Sequence, residues 1–152
     1  MSNFNGVNYA KSVAVPVDKI DAGQMNSRVK FIYDSYAYLA AFTTADEVLS
    51  VNIPEGAFIV DAFINATDGG GTGKLTLGHK ASSDATSETE DPDAFVVECD
   101  CGAAAVLAKA IVSSAKLMAS MSKATQMFIA CTEDTTATTG TIEFGVWYTL
   151  ES

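Results

Sequence analysis

His79 is the single histidine of the chain, so any Ser-His-Asp or Cys-His arrangement has to use it, and a metal site can hold at most one imidazole. No G-x-S-x-G nucleophile motif accompanies it. A lone histidine at a strand end reads as a packing or surface residue. Cys99 and Cys101 are one residue apart, which puts both thiols on the same side of an extended strand. With Cys131 and His79 they lack the C-x-x-C pairing of a zinc centre, so the three cysteines are expected to be free thiols in a reducing compartment. Gly73-Lys74 imitates the end of a phosphate-binding G-x-x-x-x-G-K-[ST] loop, but Asp68 stands at the first glycine position and Leu75 follows the lysine. What comes next alternates as a strand, where phosphate binding needs a helix N-terminus. Asp84, Glu88, Glu90, Asp91 and Asp93 offer oxygen ligands without the glycine and closing glutamate of an EF-hand, and read as a solvated acidic loop. Asn65-Ala-Thr67 matches a glycosylation sequon, a pattern short enough to arise by chance. No acid, base and nucleophile converge. The expectation is a non-enzyme with no catalytic residues, no cofactor and no metal.

Composition narrows the partners. Nineteen acidic against nine basic residues give a formal charge of −10, which repels a phosphate backbone and argues against nucleic-acid binding. The start of the chain, Met1-Ser-Asn-Phe-Asn-Gly6, lacks a basic region followed by an apolar run, and no stretch of about 18 apolar residues suits a membrane span. No secretion signal and no membrane partner are expected. A length of 152 residues with 48% hydrophobic and 18% charged side chains fits one folded domain with one core.

The elements that would carry any function are strands. Val29 to Tyr33 alternates at period two and Tyr36-Ala-Tyr38 continues a β-rich run. Val48 to Ile53 and Phe58 to Ile64 read as strands joined by a tight turn at Pro54-Glu-Gly56. The glycine tract Gly69 to Gly73 predicts a hairpin connection into Lys74-Leu-Thr-Leu-Gly78. Residues 81–93 read as a loop, and Ala94 to Cys99 and Gln126 to Cys131 as further strands. The clearest strand is Gly140 to Thr149, with Ile142, Phe144, Val146 and Tyr148 on one face and Thr141, Glu143, Trp147 and Thr149 on the other. Residues 103–121 break the rhythm: their alanines and apolar spacings of one, three and four suit an inserted amphipathic helix, and two short strands around Ser113-Ser114 are the alternative. Many short strands between turn signals predict a mainly β protein, an antiparallel β-sandwich over residues 27–152. Residues 1–26 are an N-terminal arm or an edge strand, because Pro16 within Val13-Ala-Val-Pro-Val17 is tolerated only where its missing N–H is not needed.

A family resemblance lies in the order of these segments. Ile53-Pro-Glu-Gly-Ala57, the strand ending Asn65-Ala-Thr-Asp68, the glycine tract into Gly73-Lys-Leu-Thr-Leu-Gly78, Pro92-Asp93 before a strand, and Thr139-Gly-Thr-Ile-Glu-Phe-Gly-Val-Trp-Tyr148 together resemble small virion proteins of tailed bacteriophages. The likeness spans about residues 47–149 and is one of turns and strands. It implies a jelly-roll sandwich and a role in decorating or cementing the capsid, bound to the major capsid protein on the outer surface of the virion, as a trimer made in the host cytoplasm. The residues expected to contact the shell are Phe4, Tyr9, Val13, Val15 and Val17, because an apolar-bearing arm can order as it binds. A tail or fibre component and a carbohydrate-binding β-sandwich are the alternatives.

Overall fold

In a computed structural model the described residues are 3–6, 29–37, 39–67, 73–81, 89–101, 106–109, 119–136 and 139–150. They form nine strands: β1 (Asn3–Asn5), β2 (Val29–Ala37), β3 (Glu47–Ile53), β4 (Ala57–Ala66), β5 (Lys74–Ala81), β6 (Asp91–Asp100), β7 (Val106–Lys109), β8 (Thr125–Glu133) and β9 (Thr141–Leu150). One sheet runs β1-β3-β8-β5-β6 and the other β2-β9-β4-β7. All pairings are antiparallel except β1 with β3, which is parallel. Strands β2 to β9 therefore make two four-stranded sheets whose order is that of a jelly roll, with β1 added at one edge.

This topology comes from connections that change sheet. Only β5 and β6 are consecutive neighbours within one sheet. The Pro54 turn, closed by the Ala57 N–H donating to the Pro54 carbonyl at 3.2 Å, sends the chain from β3 in one sheet to β4 in the other. Gly56 has φ +78° there, a conformation that glycine adopts without a Cβ penalty. The glycine tract likewise does not close a hairpin: β4 lies between β9 and β7, and β5 lies between β8 and β6 in the opposite sheet. The glycines mark a crossing between sheets, which local composition does not distinguish from a hairpin loop.

Where residues 103–121 are described they are extended and not helical: residues 106–109 form β7, and Ser120 makes an isolated bridge to Phe58. β7 pairs with β4 from Ala66↔Val106 to Phe63↔Lys109. Further along the same edge of β4, the Ile59 N–H donates to the Ala119 carbonyl at 3.0 Å and the Met121 N–H to the Ala57 carbonyl at 2.8 Å. Residues 110–118 lie outside the described residues. The physical reason is the edge of β4, whose backbone donors and acceptors need partners. Sheet pairing outweighs the helix preference of alanine, which amounts to tenths of a kilocalorie per residue.

Between the sheets lies the core, built from alternate residues of each strand. Ile59, Ile64, Ile142 and Phe144 from one sheet meet Ile53, Leu75, Leu77, Met127 and Ile129 from the other, all fully or almost fully buried. The inward face of β9 is the one its sequence alternation marks: Ile142, Phe144, Val146 and Tyr148. β2 departs from the simple pattern. It turns Ile32, Asp34 and Tyr36 inward and leaves Phe31 and Tyr33 on the outer face. Asp34 is accommodated because the Ser50 hydroxyl donates to its carboxylate at 2.8 Å and the Ser35 N–H at 2.9 Å.

Candidate interface

The residues singled out for chemistry are dispersed through structural roles. His79 is fully buried in β5, its ring centroid 5.7 Å from that of Phe95. Cys99, Cys101 and Cys131 are buried and outside any disulfide among the described residues. Burial first, then the charges of Cys101 and Asp134, push the Cys131 thiol up to about 12, so it stays protonated and is a poor nucleophile and metal ligand. Lys74 forms ion pairs with Glu133 at 3.0 Å and Glu98 at 3.6 Å on the strands either side of it. Asp91 and Asp93 open β6, and Asp84 and Glu88 lie outside the described residues. Hydrogen bonding to Asp91 is the main cause that raises the Asp93 carboxyl above its usual range. Among the described residues no group of three or more His, Cys, Asp or Glu side chains is placed to hold a metal ion.

Of the segment expected to reach a partner, residues 3–6 are described. Phe4 lies at the centre of β1, paired with Val48. Just after it the Gly6 N–H donates to the Leu49 carbonyl at 2.8 Å, and Gly6 packs so close to Asp34 that a Cβ there would lie 2.3 Å from the carboxylate. Residues 3–6 are thus an edge strand tied to β3 and β2, and the described chain resumes at Val29, the start of β2. Tyr9, Val13, Val15 and Val17 lie outside the described residues.

A feature that sequence reading missed stands on the outer face of β2, β9 and β4. Register places Phe31 beside Trp147 and Asp61, then Tyr33 beside Gly145 and Phe63, then Ser35 beside Glu143 and Asn65. The rings of Phe31 and Trp147 stack with centroids 4.4 Å apart, and Phe63 lies 5.3 Å from Trp147 and 6.1 Å from Phe31. Gly145 makes this possible. A Cβ at that position would lie 2.6 Å from the Ile32 carbonyl oxygen and 2.8 Å from the Phe31 ring, which leans across the space. The three rings remain half-buried. Next to them the Tyr33 hydroxyl donates to one Glu143 oxygen and the Asn65 amide to the other, both at 2.9 Å. Burial, then the bond to Glu143, raises the Tyr33 hydroxyl above its ordinary value and keeps it a donor. No lysine or arginine occupies an outward position on these three strands. The only sequence signal was Trp147 on the polar face of β9, and its partners come from strands 116 and 84 residues away, which alternation within one strand cannot pair.

The other sheet covers its outer aromatic differently. Phe128, on the side of β8 opposite Met127 and Ile129, is fully buried, with the Lys80 ammonium 5.1 Å from its centroid and paired to Glu47. A cation is already in place there.

No protein-family model and no curated protein matches the chain. Solved structures do. A chain from the structure of the capsid of Ralstonia phage GP4 is similar over 99% of this chain and 99% of its own length, with a TM-score of 0.67 and 16% identity. A chain of the cyanophage Pam1 capsid asymmetric unit is similar over 91% of this chain and 96% of its own, with a TM-score of 0.57 and 22% identity. The fold is one found, nearly end to end, among chains of phage capsids.

Proposed function

We propose that the chain is a non-enzymatic structural component of a tailed-phage virion, which decorates or cements the capsid by binding the major capsid protein shell from outside, as a trimer. One observation carries the reading: the whole jelly roll, not a portion of it, matches capsid chains along nearly their entire lengths. Those capsid chains are therefore about this size and leave little room for another domain. A fold alone does not define function, and two further features support the same role. The charge of −10 suits an outer surface better than contact with packaged nucleic acid. The sole histidine is committed to the core.

Phe4, Tyr9, Val13, Val15 and Val17 are the proposed contacts with the shell. Gly6 abuts Asp34 and Val29 begins the same strand five residues earlier, so the intervening segment starts and ends within about 17 Å at 3.3 Å per strand residue. A segment anchored at both ends has less conformational freedom to lose on binding than a free arm.

The experiment mixes the purified chain with capsid shells that lack it, then measures bound copies and the temperature at which shells rupture. Saturable binding with a higher rupture temperature is expected, and serines at Val13, Val15 and Val17 should reduce occupancy while the sandwich melts unchanged. Absence of binding to intact shells, or co-purification with tails alone, would overturn the reading.

A further inference from the structure

We infer that the outer aromatic face of β2, β9 and β4 is a second contact surface, which receives a polypeptide segment presenting arginine or lysine among apolar side chains. This deepens the decorating role and rests on it, the segment belonging to the shell protein. Three observations identify the occupant. Phe31, Phe63 and Trp147 form a cluster of rings that stays half-buried, and aromatic faces attract both apolar side chains and cations. The charged groups that register sets among them on β2, β9 and β4, Glu143 and Asp61, are both carboxylates, and the neighbouring lysine, Lys109 of β7, pairs with Phe63 at the far edge of the face. Glu143 is also held in place, since Tyr33 and Asn65 each donate to one of its oxygens and so fix the carboxylate before any partner arrives.

Charge decides between occupants. A second copy packed face to face would bring like carboxylates together on chains that each carry −10. An arginine or lysine satisfies the carboxylates and lies over the rings, as Lys80 does over Phe128 and beside Glu47 on the opposite sheet. Val29, 46% exposed and two residues before Phe31 on β2, is the first described residue after the proposed shell contacts in the chain.

The test uses the full chain and capsid shells that lack it, with Glu143→Gln/Asp61→Asn and Trp147→Leu as face variants and Val97→Ser on β6 as a control. Circular dichroism and melting confirm folding. Wild type should bind with an affinity that falls as salt rises. The double carboxylate variant should bind about tenfold more weakly or worse and lose most of that salt dependence, and Val97→Ser should match wild type. If wild type binds shells and both face variants bind equally well, the face assignment is overturned and the decorating role stands. If wild type does not bind at all, the decorating role itself fails. Loss of self-association in Trp147→Leu by mass photometry, or glycan-array binding abolished by that change, would assign the face to a second copy or to a sugar and likewise overturn the inference.

Discussion

Replacing Gly145 with alanine would test how β2 and β9 meet beneath the aromatic cluster. The added Cβ would lie 2.6 Å from the Ile32 carbonyl oxygen and 2.8 and 3.0 Å from two Phe31 ring carbons. The ring can swing away, but the carbonyl belongs to a strand paired residue by residue with β9 from Val29↔Thr149 to Ala37↔Thr141. Relief therefore requires the two backbones to separate by several tenths of an ångström. Overpacking of this kind costs about 1–3 kcal/mol. Disturbing the Phe31–Trp147 stack adds about 0.5–1.5 kcal/mol. Together these predict about 1.5–4.5 kcal/mol, or a fall in Tm of roughly 3–18 °C for a chain of this size. Trp147 is the only tryptophan, so its fluorescence reports on the same site. Gly56→Ala is the comparison: φ is +78° with nothing within 4 Å of its Cβ, so the cost is conformational alone, about 1–2 kcal/mol, with no change in the tryptophan spectrum. A Gly145→Ala protein that melts with wild type and has an unchanged emission maximum would refute the packing described.

Two other perturbations reach the interior. Ser50→Ala removes a hydroxyl that donates to the buried Asp34 carboxylate, and urea titration should register a loss of about 1.5–3 kcal/mol; a midpoint equal to wild type would show that the bond contributes nothing. Cys131, raised from 9.0 to about 12 chiefly by burial, keeps its proton longer in the folded than in the unfolded chain. That contribution to stability is full below pH 9 and is lost as pH rises from 9 towards 12. Melting at pH 8 and pH 10.5, compared between wild type and Cys131→Ala, should show a larger alkaline loss in wild type, and equal losses would contradict it.

The strands were legible in the sequence because each is a local pattern. β9 shows why: four apolar residues on one face and polar ones on the other give both its extent and its buried side. β2 shows the limit. Val29, Phe31 and Tyr33 make the more apolar row, yet Ile32, Asp34 and Tyr36 face the core, since Ser50 from β3 satisfies Asp34 and the outward rings cluster across β9. Both causes lie far away in sequence. The glycine tract announces a break in the chain but not which sheet the chain enters next. Residues 106–109 carry helix-forming alanine and leucine, and they form a strand because β4 offers an edge. The aromatic face was illegible for the same reason, since it exists only once three strands are in register.

The proposed role on the capsid is tested most directly by cryo-electron microscopy of the virion at a resolution that traces strands. If the chain decorates the shell, two-sheet density matching β1 to β9 lies on the outer surface as trimers at local symmetry positions, with the segment before Val29 and the Trp147 face towards the major capsid protein. Density for the same sandwich in the tail, inside the shell, or nowhere on the particle would contradict it.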